Sequence, residues 1–333
     1  MIKNILITGG AGYIGSHIAE ILVKDKKKIY IIDNLSAGYR SLINKNAKFF
    51  NLDLKKTQKV KKIIIKNKID SVIHLAASIS ITEGKKNYKI FYKNNVECTH
   101  NLIKACKGSL VKNFIFSSTA AVYKSSKNKV TEKSIIKPKS VYGKTKLAAE
   151  KIIIKKLKKN KINYAILRYF NVVGASSSLK VGPLKKNDTL FKNISIAMFK
   201  KNTDIKIYGN NFNTKDGTCI RDYIHVSDLS YIHIKILKKI EKVKKSIILN
   251  CGYGKGISVK EVINGFIKIA KKQVNIIILK KRPADIVSSI ADNKNLKKFI
   301  KWKPQYNNLS LIIKSCLKWE KTRNTRTIAQ IHK

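Results

Sequence analysis

Short apolar runs alternate with longer segments of helical length from the start of the chain to about residue 172. The runs at 3–8, 28–33, 47–51, 70–75, 112–117 and 162–168 are rich in Ile, Val and Phe and read as buried strands. Between them, 55–67, 85–107 and 142–159 are long enough to be helices. Such alternation predicts an α/β fold, a doubly wound parallel Rossmann sheet with helices on both faces. After Asn171 the rhythm changes. Gly174 to Pro183 reads as a Ser- and Gly-rich loop, 188–201 as a helix, and Tyr208 to Ile220 as a polar, glycine-punctuated stretch. These pieces predict a smaller C-terminal α/β substrate lobe. The expected division is a dinucleotide-binding domain at 1–172, to which the chain returns at 221–250, and a lobe made of 173–220 and 251–333. Neither a repeat nor a low-complexity linker interrupts the chain.

The first strand runs into Gly9-Gly10-Ala11-Gly12-Tyr13-Ile14-Gly15 and then into a helix from Ser16 to about Lys24. Glycines at 9, 12 and 15 suit a tight turn, a close approach of backbone to a pyrophosphate, and close helix-on-strand packing, with the phosphates at the helix N-terminus. The second strand ends at Asp33, eighteen residues beyond Gly15, where a carboxylate would accept from adenosine ribose hydroxyls and repel a 2′-phosphate. The expected cofactor is therefore NAD.

With 333 residues the chain is long enough for one large α/β unit plus a lobe. No stretch is apolar enough to span a bilayer, and the first strand starts too early to leave room for a signal peptide, so a cytoplasmic protein with no membrane partner is expected. Cys98, Cys106, Cys219, Cys251 and Cys316 form no Cys-x-x-Cys pair, so reduced, structural thiols and no metal site are expected. The net charge of +52 would ordinarily suggest a nucleic-acid partner. Only six of the 71 basic residues are arginine, however, leaving 71 − 6 = 65 lysines dispersed along the chain. Readers of base edges cluster arginine with stacking aromatics instead. Lys, Ile and Asn are inflated together, and all have A/T-rich codons, so codon bias accounts for the charge and no specific nucleic-acid partner is expected.

Against that background, Arg221 and Arg282 are candidates for a diphosphate clamp, because a guanidinium offers a planar bidentate fork that an ammonium lacks. The alternative is that they form surface ion pairs with Asp222 or Asp285. Tyr142 and Lys146 stand at i and i+4 and so share a helix face. A nearby cation favours phenolate, and the expectation is that Lys146 pulls the phenol down from its usual range near 10 to make a base for a sugar hydroxyl. Phe116-Ser117-Ser118-Thr119 closes a strand at the active edge of such a sheet, and Thr119 is the hydroxyl best placed to share a hydrogen bond with substrate and Tyr142. His74-Leu75-Ala76-Ala77 closes another, where small alanines let the backbone approach the cofactor. His74 itself reads as a satisfied structural histidine.

These segments, with Asp33-Asn34-Leu35, Arg168-Tyr169-Phe170-Asn171 and Asp216-Gly217-Thr218-Cys219-Ile220-Arg221-Asp222-Tyr223-Ile224-His225-Val226, carry a resemblance over essentially the whole chain. The sequence resembles the UDP-glucose 4-epimerases, extended members of the short-chain dehydrogenase/reductase superfamily. The resemblance implies reversible C4 epimerisation of a UDP-hexose through a 4-keto sugar, with tightly held NAD. By the same resemblance Tyr142, Lys146 and Thr119 are catalytic. Gly9, Gly12, Tyr13, Ile14, Gly15, Asp33, Asn34, Asp53, Leu54, Ala76, Ala77, Ser117 and Tyr169 would meet the cofactor beside Tyr142 and Lys146. Asn171, Arg221, Arg282 and Asp285 would hold UDP. A homodimer through the faces of 85–107 and 142–159 is implied as well.

The chain departs from the family pattern at Lys124, where Gly is common, at Val141, where Pro commonly precedes the tyrosine, and at Thr189, where Asn is frequent. Ser289 replaces a tyrosine that restricts the hexose pocket in some members, which implies room for an N-acetyl group and acceptance of UDP-N-acetylglucosamine. Among competing activities, a 4,6-dehydratase would carry Asp-Glu after the active-site threonine, whereas Ala120-Ala121 follow Thr119 here. Another NAD-dependent nucleotide-sugar epimerase or a decarboxylase of the same superfamily, and a catalytically silent basic NAD- or RNA-binding protein, complete the alternatives.

Overall fold

A computed structural model describes residues 2–79, 87–184, 189–200, 204–282 and 285–331, the last seven of these as backbone. Seven strands form the main sheet: β1 (Asn4–Thr8), β2 (Lys28–Asp33), β3 (Lys48–Asn51), β4 (Ser71–His74), β5 (Asn113–Thr119), β6 (Asn163–Tyr169) and β10 (Ile247–Cys251). Their order is β10-β6-β5-β4-β1-β2-β3, parallel throughout. Helices α1 (Tyr13–Lys24), α2 (Thr57–Lys66), α3 (Tyr88–Tyr92), α4 (Cys98–Cys106), α5 (Val141–Lys159) and α7 (Val226–Val243) cover it. Because both faces are covered, the central strands are apolar without interruption. Side chains still alternate: Ile5 and Ile7 join the core beneath α1 and α7, while Leu6 joins the one beneath α2, α4 and α5.

The lobe has two small sheets. Strand β9 (Ile220–His225) lies between β11 (Gly256–Ser258) and β13 (Ser288–Ser289), and β7 (Asn171–Val173) also pairs with it. A separate parallel pair joins β8 (Asp204–Tyr208) to β12 (Asn275–Leu279). Helices α6 (Leu190–Ala197), α8 (Val259–Ala270), α9 (Lys294–Ile300) and α10 (Leu309–Ile331) complete it. Ser258 caps α8 in a reciprocal pair with Glu261, each satisfying the other's backbone N–H. No described helix is long and apolar enough to cross a membrane.

Two helical readings change. The stretch expected as one helix at 85–107 is two helices joined by a π-helical turn at Lys93–Glu97, with residues 85 and 86 outside those described. The 188–201 helix is observed over Leu190–Ala197, its expected ends 188 and 201 again lying outside the described residues. Periodicity could not show the π-turn, whose one extra residue rotates the next helical segment onto a different face.

Among the described residues, six helices end at a lysine in the left-handed region: Lys26 after α1, Lys68 after α2, Lys161 after α5, Lys244 after α7, Lys271 after α8 and Lys301 after α9, with φ between 47° and 54°. Glycine is the usual residue there, since a Cβ in this conformation costs roughly 1 kcal/mol. Favourable placement of a cation at the carbonyl end of the helix offsets part of that.

Four histidines are buried and neutral. His74 sits between Thr8 Oγ1 at 2.6 Å and Thr99 Oγ1 at 2.9 Å. Because the Thr99 hydroxyl donates to the Asn95 carbonyl, it accepts from His74 Nε2–H, which makes Nδ1 the acceptor from Thr8. His233 donates from Nδ1 to the Leu229 carbonyl and receives the Tyr169 hydroxyl on Nε2. His17 donates to the Tyr13 carbonyl, and His225 stacks on Tyr306 with ring centroids 4.3 Å apart. Burial pushes His17 and His233 down to about 4, and His74 and His225 to about 3, from an ordinary 6.5. Asp222 is the opposing case. Fully buried, it accepts from the N–H groups of Tyr253, Gly254 and Ala291, and burial raises it to about 6.

These shifts make stability depend on pH. Below pH 6.5 the unfolded chain binds protons that the folded histidines refuse, so stability is full above that pH and falls as pH drops towards 4. Denaturant titrations should show a loss between pH 7 and pH 5 on the order of 1–2 kcal/mol per histidine, part of it returned by Asp222, and equal stability at both would contradict this reading. Replacing Lys244 by Gly should relieve the left-handed strain and raise the unfolding free energy by about 0.5 kcal/mol, as measured by chemical denaturation.

Candidate active site

Strand order reverses at β1, between β4 and β2, and the crevice outside the carboxyl ends of β1 and β4 is where such sheets bind nucleotides. Gly9 stands there with φ +74°, and a Cβ on it would lie 2.6 Å from the Ala76 nitrogen. A Cβ on Gly15 would lie 2.4 Å from the Gly9 carbonyl, so α1 packs directly on the turn. Gly12 is the N-cap of α1 and no side chain caps the helix, so the first-turn N–H groups at Tyr13 and Ile14 have no capping side chain as acceptor. The Tyr13 phenol is committed elsewhere, donating to the Gly174 carbonyl at 2.6 Å. Only its backbone can serve the crevice.

Asp33 ends β2 beside this turn and accepts from Ala11 N at 3.0 Å and Leu35 N at 2.9 Å; burial raises its carboxyl, and those bonds oppose the rise. Asn34 donates to Asp53 at 3.0 Å, which joins the two sequence-predicted residues, while Leu54 is buried in the core with Ile32. Ala76 and Ala77 follow β4. Glycines at the approach points, an uncapped helix N-terminus and a carboxylate at the end of β2 together fit a dinucleotide without a 2′-phosphate.

On the other side of β4, β5 delivers Ser117, Ser118 and Thr119. Helix α5 starts at Ser140, whose hydroxyl accepts from Gly143 N at 3.0 Å. A Cβ on Gly143 would lie 2.4 Å from the Ala121 carbonyl, so glycine lets the first turn of α5 press against the end of β5. Tyr142 is thereby brought beside Thr119, whose Oγ1 accepts from Ala121 N at 3.1 Å. Lys146, 1% exposed, donates to Ser117 Oγ at 3.3 Å and lies 4.5 Å from the centre of the Phe116 ring. Tyr169 is buried beside Ser117, its hydroxyl bound to His233.

One electrostatic expectation is corrected. Burial raises Tyr142 to about 12, against the opposing influence of the Thr119 hydroxyl, so the net shift is upward and not the downward one expected. The reason is that Lys146 is itself desolvated, which pushes it to about 7 against the opposing pull of Glu150.

In the lobe, Asn171 is exposed on β7, Arg221 lies on β9, and Ser289 on β13 is the register partner of Arg221. Arg282 is exposed, stacks over Tyr208 at 4.2 Å, and pairs with Asp285 at 3.1 Å; Asp285 is also 4.0 Å from Arg221. The two arginines therefore share one carboxylate and keep a net positive charge. Asp222 does not pair with Arg221, because alternation along β9 turns it inward to its three backbone donors. Of the departures, Lys124 is held by a bond from its N–H to the Ile135 carbonyl at 2.8 Å, Val141 starts α5 behind the Ser140 cap, and Thr189 is the N-cap of α6.

Sequence reasoning missed Asn95. Placed by the π-helical turn, it accepts from Ser78 N at 2.7 Å and donates to Thr145 at 3.0 Å, tying the loop after β4 to α5. The only sequence signal was an Asn pair inside a helical stretch, which by itself indicates nothing.

Comparison with known proteins agrees with this geometry. Residues 5–252 match the NAD dependent epimerase/dehydratase family. A UDP-glucose 4-epimerase of Lactobacillus helveticus is 36% identical over 321 residues, covering 96% of this chain and 97% of the relative. The crystal structure of a Stenotrophomonas maltophila UDP-glucose 4-epimerase, with bound NAD and formylated UDP-arabinopyranose, superposes with a TM-score of 0.93 at 30% identity, over 97% of this chain and 99% of that one. A UDP-Glc/GlcNAc 4-epimerase of Campylobacter jejuni has a TM-score of 0.83 at 38% identity, covering 96% and 99%. With a family match across three quarters of its length and relatives aligned nearly end to end, the chain belongs to the NAD-dependent epimerase/dehydratase family.

Proposed function

We propose that the chain catalyses reversible C4 epimerisation of UDP-hexoses, interconverting UDP-glucose and UDP-galactose with tightly bound NAD. The observation that carries this reading is the placement of Tyr142 beside Thr119, with Lys146 one helical turn behind and the glycine turn across the crevice. NAD, when bound, supplies the reversible acceptor for the C4 hydrogen. Tyr142 takes the O4 proton and later returns it, and Thr119 holds O4 in line. Arg221 and Arg282 grip the diphosphate, with Asn171 and Asp285 completing the UDP site. Loss of both hydrogens leaves a 4-keto sugar. Turning the hexose about its bonds to the anchored diphosphate would present the opposite face of C4, so that the C4 hydrogen returns with inverted configuration as Tyr142 returns the O4 proton.

In this reading residues 1–172 with 221–250 hold the dinucleotide, except that β9 at the start of the return segment joins the lobe sheet and brings Arg221 to the UDP-sugar, and 173–220 with 251–333 complete that site. The enzyme works in the cytoplasm as a homodimer. Tyr88 and Ile90 of α3, 51% and 52% exposed, support an interface on that face. Ser289, in register with Arg221 and with a small side chain, supports acceptance of N-acetylated sugars; the similarity to the Campylobacter jejuni UDP-Glc/GlcNAc 4-epimerase agrees.

Incubation with UDP-galactose and, separately, UDP-N-acetylgalactosamine should give both gluco epimers by chromatography without added cofactor. No conversion even with NAD supplied would sink the reading. Tyr142→Phe should cost at least about a hundredfold in kcat with the fold intact by circular dichroism. Ser289→Tyr should abolish turnover of the acetylated sugar and spare UDP-galactose, and an unchanged ratio would reject the pocket assignment.

A further inference from the structure

Three consecutive hydroxyls at the end of β5 each meet a different residue of α5. Ser117 accepts from Lys146, Ser118 donates to Glu150, and Thr119 lies beside Tyr142. The helix partners Tyr142, Lys146 and Glu150 stand at i, i+4 and i+8, along one helix face. The proposed chemistry uses the first two and assigns nothing to the third. Glu150 is 2% exposed, and a carboxylate so deeply buried is expensive unless its charge is matched.

The match is complete. Arg168 grips Glu150 with both arms, Nε to Oε1 at 3.0 Å and Nη2 to Oε2 at 2.7 Å, and Ser118 adds a third donor. Ser118 and Arg168 are register partners on β5 and β6, so the strands themselves set the positions of both donors. The remaining guanidinium arm is committed to the Tyr123 hydroxyl at 2.9 Å and the Glu132 carbonyl. Tyr123 in turn donates to Asn250 at 2.7 Å, which anchors the pair to β10. Glu150 is thus an immobile carboxylate, held against a guanidinium, one turn from Lys146.

Among the described residues, the surroundings of Lys146 contain no comparable anion. From β5 it meets the Phe116 ring and the Ser117 hydroxyl. His74 on β4 is neutral, and any charge on it would oppose the ammonium. Tyr142 on α5 and Tyr169 on β6 are phenols raised by burial, and Arg168 on β6 is the cation bound to Glu150. Desolvation lowers Lys146 to about 7, and Glu150 is the charge that opposes it.

We infer that Glu150, locked by Arg168 and Ser118, is a positioning residue that keeps Lys146 an ammonium beside Tyr142. The consequence for the reaction rests on the proposed epimerase reading; the charge state of Lys146 does not. A neutral Lys146 could not favour phenolate, so removing the Glu150 charge should shift the alkaline limit of activity to lower pH.

The test is an NMR titration of protein labelled with ¹³C at lysine Cε, the Lys146 signal being the one missing from Lys146→Met. In Glu150→Gln its midpoint should fall by about one pH unit or more, and the alkaline fall of kcat/KM for UDP-galactose should move by the same amount, a loss of about tenfold at pH 8. Should the single variant fail to fold with Arg168 unpaired, Glu150→Met combined with Arg168→Met removes both charges, and the same downward direction is expected. An unchanged midpoint in a folded variant overturns the inference, as does a uniform loss of activity with no displacement of the pH profile, which a merely structural pair would give. Failure of the wild-type protein to convert any UDP-sugar would sink the epimerase reading and leave the titration interpretable.

Discussion

Backbone pressed directly on backbone at the carboxyl edge of the sheet determines where everything else stands. The turn after β1 touches the chain after β4 with no side chain between them, and α1 rests on that same turn. Three elements therefore meet at one point, which sets the width of the crevice. A second contact of this kind, α5 on the carbonyl of Ala121 through Gly143, sets the other wall. Interior packing is dense and tolerates little displacement, so these contacts place the helix N-terminus and the phenol at a separation that neither could adopt alone.

The lobe achieves convergence differently, through one strand. β9 pairs with strands from both ends of the lobe sequence and so collects Asn171, Arg221 and Ser289 from segments far apart in the chain. Alternation does the rest. Arg221 turns toward the arginine cluster, and Asp222 turns inward, where its three backbone donors hold the chain at Tyr253, Gly254 and Ala291. One dipeptide thus carries a binding group and the anchor for the segments around it.

Much of this was legible in the sequence. Six of the seven strands of the large sheet, β1 to β6, were readable because parallel strands covered on both faces leave unbroken apolar runs, and the glycine turn because its spacing follows from backbone sterics; β10 was not among the runs read as strands. The short strands β7, β11 and β13 were not, since two or three residues cannot display a period. Asn95 was hidden by a π-helical turn, and Glu150 by looking like one more acidic residue on a helix face. The direction of the Tyr142 shift was misjudged for a related reason. Spacing shows that two groups are neighbours, but it does not show that both are dry, and desolvation outweighs the neighbour's charge.

The helix ends carry a further meaning. Where many chains stop a helix with a residue that has no side chain to strain, this one, among the described residues, stops six with lysine. The first solution is conformational and indifferent to the medium. The second leans on attraction between an ammonium and the last carbonyls, which mobile ions weaken over a distance of about 10 Å at 0.1 M salt. Lysine at these ends has thereby moved part of the fold's punctuation from geometry into the ionic atmosphere, and made where a helix ends a property shared between the chain and the salt around it.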